Sequence, residues 1–181
     1  MNRTLVIFIV TLVAAAVGFT LIKRQFKEDE PVVEVSNFEE CVAAGNAIME
    51  SWPRQCRTED GQTFVEDIGN ELEKTDLITI DNPRPNQVIA SPLLIEGQAR
   101  GTWFFEGDFP LKLLDEQGEI IVEHYATAQS GWMTEEFVPF NAEIEFNTTS
   151  TKGALLLIKD NPSGLPENDD QLIVPVKFAV D

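Results

Sequence analysis

Ala142-Glu143-Ile144-Glu145-Phe146 decides the fold class: in an extended chain its two acids point to one side and Ala142, Ile144 and Phe146 to the other. That period of two is the mark of a strand in a sheet buried on one face. Short runs rich in β-branched, aromatic and leucine residues recur at 77–80, 93–98, 102–106, 111–115, 119–127, 154–159 and 172–178, which with 142–147 makes eight expected strands. Turn formers separate them. Asn82-Pro83-Arg84-Pro85-Asn86, Glu106-Gly107-Asp108, Asp115-Glu116-Gln117-Gly118, Lys152-Gly153 and Asn161-Pro162-Ser163-Gly164 each supply a positive or a fixed φ for a reversal. Many short antiparallel strands spaced by turns predict a mostly β fold, an immunoglobulin-like antiparallel β-sandwich over residues 77–181.

Upstream of residue 77 the pattern changes. Residues 69–76 are polar and read as a linker, and residues 36–68 read as a small unit holding Cys41 and Cys56, the only two cysteines. A helix is conceivable at 38–49. A unit this short cannot build a sufficient core, and a disulfide closing the loop between its cysteines would add about 3 kcal/mol in the chain-entropy treatment. The other uses of a cysteine pair fit less well. A metal site needs more ligands than two distant thiols with a single histidine in the chain, and a redox pair would show Cys-x-x-Cys. A disulfide Cys41–Cys56 is therefore expected, and with it an oxidising compartment.

Residues 4–22 are uncharged, follow Arg3 and are closed by Lys23, Arg24 and Lys27. As a helix the run would be about 28 Å long at ~1.5 Å per residue, close to a hydrocarbon core of ~30 Å. Residues 1–27 are thus expected to be an N-terminal transmembrane anchor, followed by a charged spacer at 28–35 that opens Glu28-Asp29-Glu30-Pro31. A cleaved signal peptide ending near Ala14-Ala15-Ala16 is the alternative. Counting bases on either side of the span favours a cytoplasmic body, whereas the cysteine pair favours an extracytoplasmic one; the expected location is the cell membrane, single-pass, with the C-terminal body outside the cytoplasm. All 31 acids lie after residue 27, as do nine of the 13 bases, so the remainder carries −22. Such a field repels phosphate backbones, which argues against nucleic acid as a partner.

No catalytic constellation is visible. His124 lies within an expected strand beside Glu123, with Ser130 nearby, but neither a Gly-x-Ser-x-Gly elbow nor a His-Glu-x-x-His helix is present. Glu167-Asn168-Asp169-Asp170 is the densest oxygen-donor cluster, yet it lacks the spacing of a calcium loop and reads as a solvated connection. Catalytic residues, metal and cofactor are each expected to be none. Aromatic residues gather at Trp103-Phe104-Phe105, Trp132 and Phe137. Core packing is one use for them; an exposed contact surface at Trp103, Phe104 and Trp132 is the other.

Ile89-Ala-Ser-Pro92, Leu93 to Ala99, Phe105-Glu-Gly-Asp-Phe109, Leu113-Leu-Asp-Glu-Gln-Gly118, Gly153-Ala-Leu-Leu-Leu157 and Val174-Pro-Val176 together resemble the Gmad2 domain, an immunoglobulin-like module of bacterial surface and spore-germination proteins. The resemblance implies a non-enzymatic, extracytoplasmic binding or assembly module with no catalytic residues to carry over. Asn37-Phe-Glu-Glu-Cys41, Ser51-Trp-Pro-Arg-Gln-Cys56 and Asp60-Gly-Gln-Thr-Phe64 look like a small two-cysteine module of bacterial surface proteins. The last two stretches are also similar to Kazal inhibitors, which need more cysteines than this chain holds. The expected function is a membrane-anchored, non-catalytic binding or assembly module of the bacterial envelope, its partner an envelope protein or a cell-wall component. The alternatives are an envelope-polymer hydrolase and a protease-inhibitor-like protein.

Overall fold

In a computed structural model that describes residues 35–179, the chain begins with a capped helical turn. Helix α1 (Phe38–Ala43) starts where Asn37 Oδ1 accepts the Glu40 N–H, while the Glu40 carboxylate reaches back to the Ser36 N–H and hydroxyl. It stops at Gly45, whose φ of +79° favours a residue without a Cβ. The expected helix at 38–49 is therefore cut short, and its second half becomes strand β1 (Ala47–Met49). With β2 (Gln55–Arg57) and β3 (Thr63–Val65) it forms a three-stranded antiparallel sheet in the order β1-β2-β3. Cys41 on α1 is bonded to Cys56 on β2, both fully buried, with Phe38 beside them and Phe64 packed against the cluster. The expected disulfide is present and forms the centre of this small unit.

The remaining strands are β4 (Ile78–Asn82), β5 (Val88–Ile89), β6 (Leu93–Arg100), β7 (Asp108–Asp115), β8 (Ile120–Ala128), β9 (Phe137–Ile144), β10 (Lys152–Ile158) and β11 (Gln171–Phe178). They hydrogen-bond in the order β4-β6-β9-β8-β7-β10-β11-β5. The sheet folds over where β8 and β9 share only two residue pairs, Thr127 with Asn141 and Ala128 with Phe140. One layer is then β4-β6-β9 and the other β8-β7-β10-β11-β5, an immunoglobulin-like sandwich. Ile78, Ile80, Ile95, Val138, Phe140 and Ile144 face inward from the first layer, and Phe109, Leu111, Leu113, Leu155, Leu157, Leu172 and Val174 from the second. Phe109 bridges the layers edge to face with Phe140, ring centroids 5.0 Å apart.

Three strand readings need correction. Residues 102–106 are not a strand: Gly101–Trp103 forms a 3₁₀ turn, and Glu106 and Gly107 reverse the chain with positive φ. Strand β9 begins five residues before the expected 142, because Pro139 sits inside it at a position where the missing N–H costs nothing. Its bonding edge faces β8, where only its carbonyl is used, by the Gln129 N–H at 2.7 Å. The two-residue β5 escapes sequence reading altogether; it pairs parallel to the end of β11.

Residues 69–76 are not a free linker. They carry helix α2 (Glu71–Lys74), docked on β11. Asn70 donates to the Gln171 carbonyl at 2.9 Å and accepts the Ile173 N–H at 2.7 Å, so one side chain serves the backbone of β11 as a neighbouring strand would. Gly69, with φ of +69°, lets the chain lie against the Ile173 carbonyl where any Cβ would collide. The expected anchor at 1–27 and the spacer through residue 34 lie outside the described residues. Among those described, no helix is long and apolar enough to cross a membrane.

Asn70→Ala removes both bonds and leaves two β11 groups without their partner. At about 1 kcal/mol for each bond, it should lower unfolding stability by about 2 kcal/mol, read as a shift in the urea midpoint at unchanged slope.

Candidate functional site

The aromatic run after β6 is shaped by its 3₁₀ turn. Phe104 donates its N–H to Gly101, and the Asp160 N–H donates to the Trp103 carbonyl. Leaving the extended conformation lets two consecutive side chains enter the core: Trp103 is 1% exposed and Phe104 4%. The candidate contact surface at these two positions is therefore corrected, since a strand would have sent them to opposite faces and this turn does not. Phe105 is the exposed member of the run. Trp132 is half-buried against the core, with its ring edge 3.4 Å from where a Cβ on Gly107 would stand. Next to it Met133 is 85% exposed, and Arg100 lays its guanidinium 4.1 Å over the Phe137 ring. This end of the sandwich thus offers Phe105, Trp132 and Met133 to a partner, where sequence reading had named Trp103, Phe104 and Trp132.

The titratable candidates do not converge. Glu123 is paired across the sheet with Lys112 at 2.7 Å, and His124, the next residue on β8, points to the other side of the strand. Ser130 is exposed in the following loop. In the acidic connection before β11, Asp170 is bound to Lys74 at 2.6 Å and Asp169 accepts from Asn161 at 2.7 Å. Among the described residues no three metal-ligating side chains come together. A cleft of about 400 Å³ at the opposite end of the sandwich, lined by Ile89, Ser91, Phe146 and Thr148 among others, holds no titratable side chain.

What sequence reading missed is the seam between the small unit and the sandwich. On the small-unit side Arg54 grips Glu66 with two bonds, Nε at 2.8 Å and Nη2 at 2.6 Å, and from the sandwich Asn86 donates to the same carboxylate at 3.2 Å and to the Asp67 carbonyl at 2.7 Å. A second pair, Arg84 with Glu71 at 2.7 Å, lies beside it, and the Arg84 guanidinium sits 5.2 Å over the Trp52 ring. Glu66 and Glu71 are the two buried charged residues of the described chain, 7% and 6% exposed. The Arg54 bonds hold the Glu66 carboxyl below its ordinary value in spite of burial. No local sequence signal marks these partners, because the pairs form across twelve to twenty residues.

Residues 77–164, from the start of β4 through β10, match the Gmad2 family, described as the immunoglobulin-like domain of bacterial spore germination. No curated protein matches the chain. The family match begins after Glu66 and Glu71, so the seam joins the matched domain to what precedes it.

Glu66 allows a test of the pairing on the small-unit side of that joint. A carboxyl held below its ordinary value stabilises the fold above the usual carboxylate range, and the contribution disappears as pH falls through that range and below it. Urea midpoints measured against pH should fall more steeply on the acid side for the wild type than for Glu66→Gln, and the two curves should converge at the acid end. Parallel curves would mean that the carboxylate is not stabilised by Arg54 and Asn86.

Proposed function

We propose that this chain is a membrane-anchored, extracytoplasmic binding or assembly module of the bacterial envelope. The observation that carries the reading is the Gmad2 match laid over an immunoglobulin-like sandwich. That family is not known as enzymatic, and the proposed role is non-catalytic recognition of an envelope protein or a cell-wall component. The buried Cys41–Cys56 bond supports an oxidising location, as disulfides persist outside the cytoplasm. The uncharged run at 4–22 supports an anchor, and the net charge of −22 beyond residue 27 speaks against nucleic acid. The recognition surface is placed at the end bearing Phe105, Trp132 and Met133, where apolar groups stand in solvent on a rigid scaffold.

Location and redox state are tested together. A topology reporter fused after Asp181 should be active only outside the cytoplasm, and protein taken from cells should bind a thiol-alkylating reagent at Cys41 and Cys56 only after reduction. Free thiols in cells, or a reporter active only inside, would overturn the location.

A further inference from the structure

Beyond the end of β9 the chain keeps its in–out alternation without keeping a partner strand. Glu145, Asn147 and Thr149 face water, while Phe146, Thr148 and Ser150 between them are half-buried. Residues 145–150 belong to no strand. Two bonds hold the sheltered side of this segment: the Phe146 N–H donates to the Ser91 hydroxyl at 2.9 Å, and the Ser150 N–H to the Thr148 hydroxyl at 3.1 Å. Among the described residues the backbone of 147–149 makes no hydrogen bond. The side chains of Glu145, Asn147 and Thr149 are likewise without a hydrogen bond or an ion pair among the described residues, so all three are free to be gripped from outside.

Asn147-Thr148-Thr149 has the Asn-x-Thr form, with no proline between, that marks an N-glycosylation acceptor. The chemistry explains the form. An amide nitrogen is a poor nucleophile because its lone pair is delocalised into the carbonyl, so the glycosylating enzyme must turn the side chain while a hydroxyl two residues on anchors the chain. Both groups must be uncommitted and on one side, which the alternation provides. Glu145, two residues ahead on that same side, adds a carboxylate that a basic group of the enzyme can hold. The other matches in the chain fail: Asn161-Pro162-Ser163 is blocked by its proline, and Asn2-Arg3-Thr4 precedes the uncharged run, on the cytoplasmic side in the proposed orientation. The cleft of about 400 Å³ lined by Ser91, Phe146 and Thr148 opens beside Asn147, is uncharged, and leaves room for a first sugar. We propose that Asn147 is an N-glycosylation site that receives an oligosaccharide from a polyprenyl-pyrophosphate carrier through a membrane oligosaccharyltransferase. Asn147 Nδ2 bonds to C1 of the first sugar as the bond from C1 to the pyrophosphate oxygen breaks. The lipid pyrophosphate leaves with that electron pair, and the amide proton passes to a base of the enzyme. The inference rests on the extracytoplasmic reading, since that is the side on which such carriers present their glycans.

Peptide mass spectrometry of the full chain, purified in detergent from the cells that make it, tests the proposal. In a tryptic digest the peptide 113–152 should carry the added mass of whole sugar residues, placed by fragmentation on Asn147. Asn147→Gln and Thr149→Ala should each abolish the added mass, Thr149→Ser should retain it, and Glu145→Gln should lower the occupied fraction. These positions are exposed and unbonded, so circular dichroism should show every variant folded, and lost sugar then reports the acceptor and not the fold. A wild-type peptide at its sequence mass, sugar on another residue, or a glycan that survives Asn147→Gln would overturn the proposal. The same digest reads the cysteines. A bare 113–152 peptide with Cys41 and Cys56 joined refutes the glycan alone, whereas free thiols at both refute the location on which the two readings stand.

Discussion

The outer edge of β11 imposes the constraint on which the arrangement of this chain depends. A strand bonded on one side only leaves a row of backbone donors and acceptors that must find partners or remain in water. Here the row is closed piece by piece. Gln171 and Ile173 are served by the Asn70 side chain, the Pro175 carbonyl by the Asn86 N–H, the Lys177 N–H by the Gln87 carbonyl and the Ala179 N–H by the Ile89 carbonyl. Pro175, which has no N–H, stands where only a carbonyl is used. Closing that edge draws residues 69–89 against the sheet, and the disulfide unit follows because Glu66 and Asp67 lie just before them.

The seam then secures what the edge has brought near. Glu66 and Glu71 are buried carboxylates, and a buried charge is tolerable only when paired and hydrogen-bonded. Arg54 pairs with Glu66 inside the small unit and Asn86 of the sandwich bonds the same carboxylate, while Arg84 of the sandwich pairs with Glu71 on α2 and is itself covered by Trp52 of the small unit. Because each unit supplies groups to the other, the small unit is carried as an extension of the sandwich and not as a bead on a flexible string. A surface on either can therefore act in concert with a surface on the other.

The two outer faces of the sandwich divide its chemistry. One is acidic, as the alternation at Glu143 and Glu145 announces. The other is apolar, and its cause is visible in the uninterrupted aliphatic run of β10. Strand alternation is the pattern expected where water is the outer neighbour, and β10 departs from it.

Period-two patterning, turn residues and two cysteines were enough to determine the immunoglobulin-like class, seven of the expected strands and the Cys41–Cys56 bond, because each is a local regularity or, for the cysteines, the one pairing available. Only the tertiary structure decided that Trp103 and Phe104 both enter the core, that residues 69–76 dock instead of linking, and that Arg54 and Asn86 meet at Glu66. The reason is distance along the chain: Asn70 finds its partners 101 and 103 residues away, and no window of sequence contains both ends of such a contact.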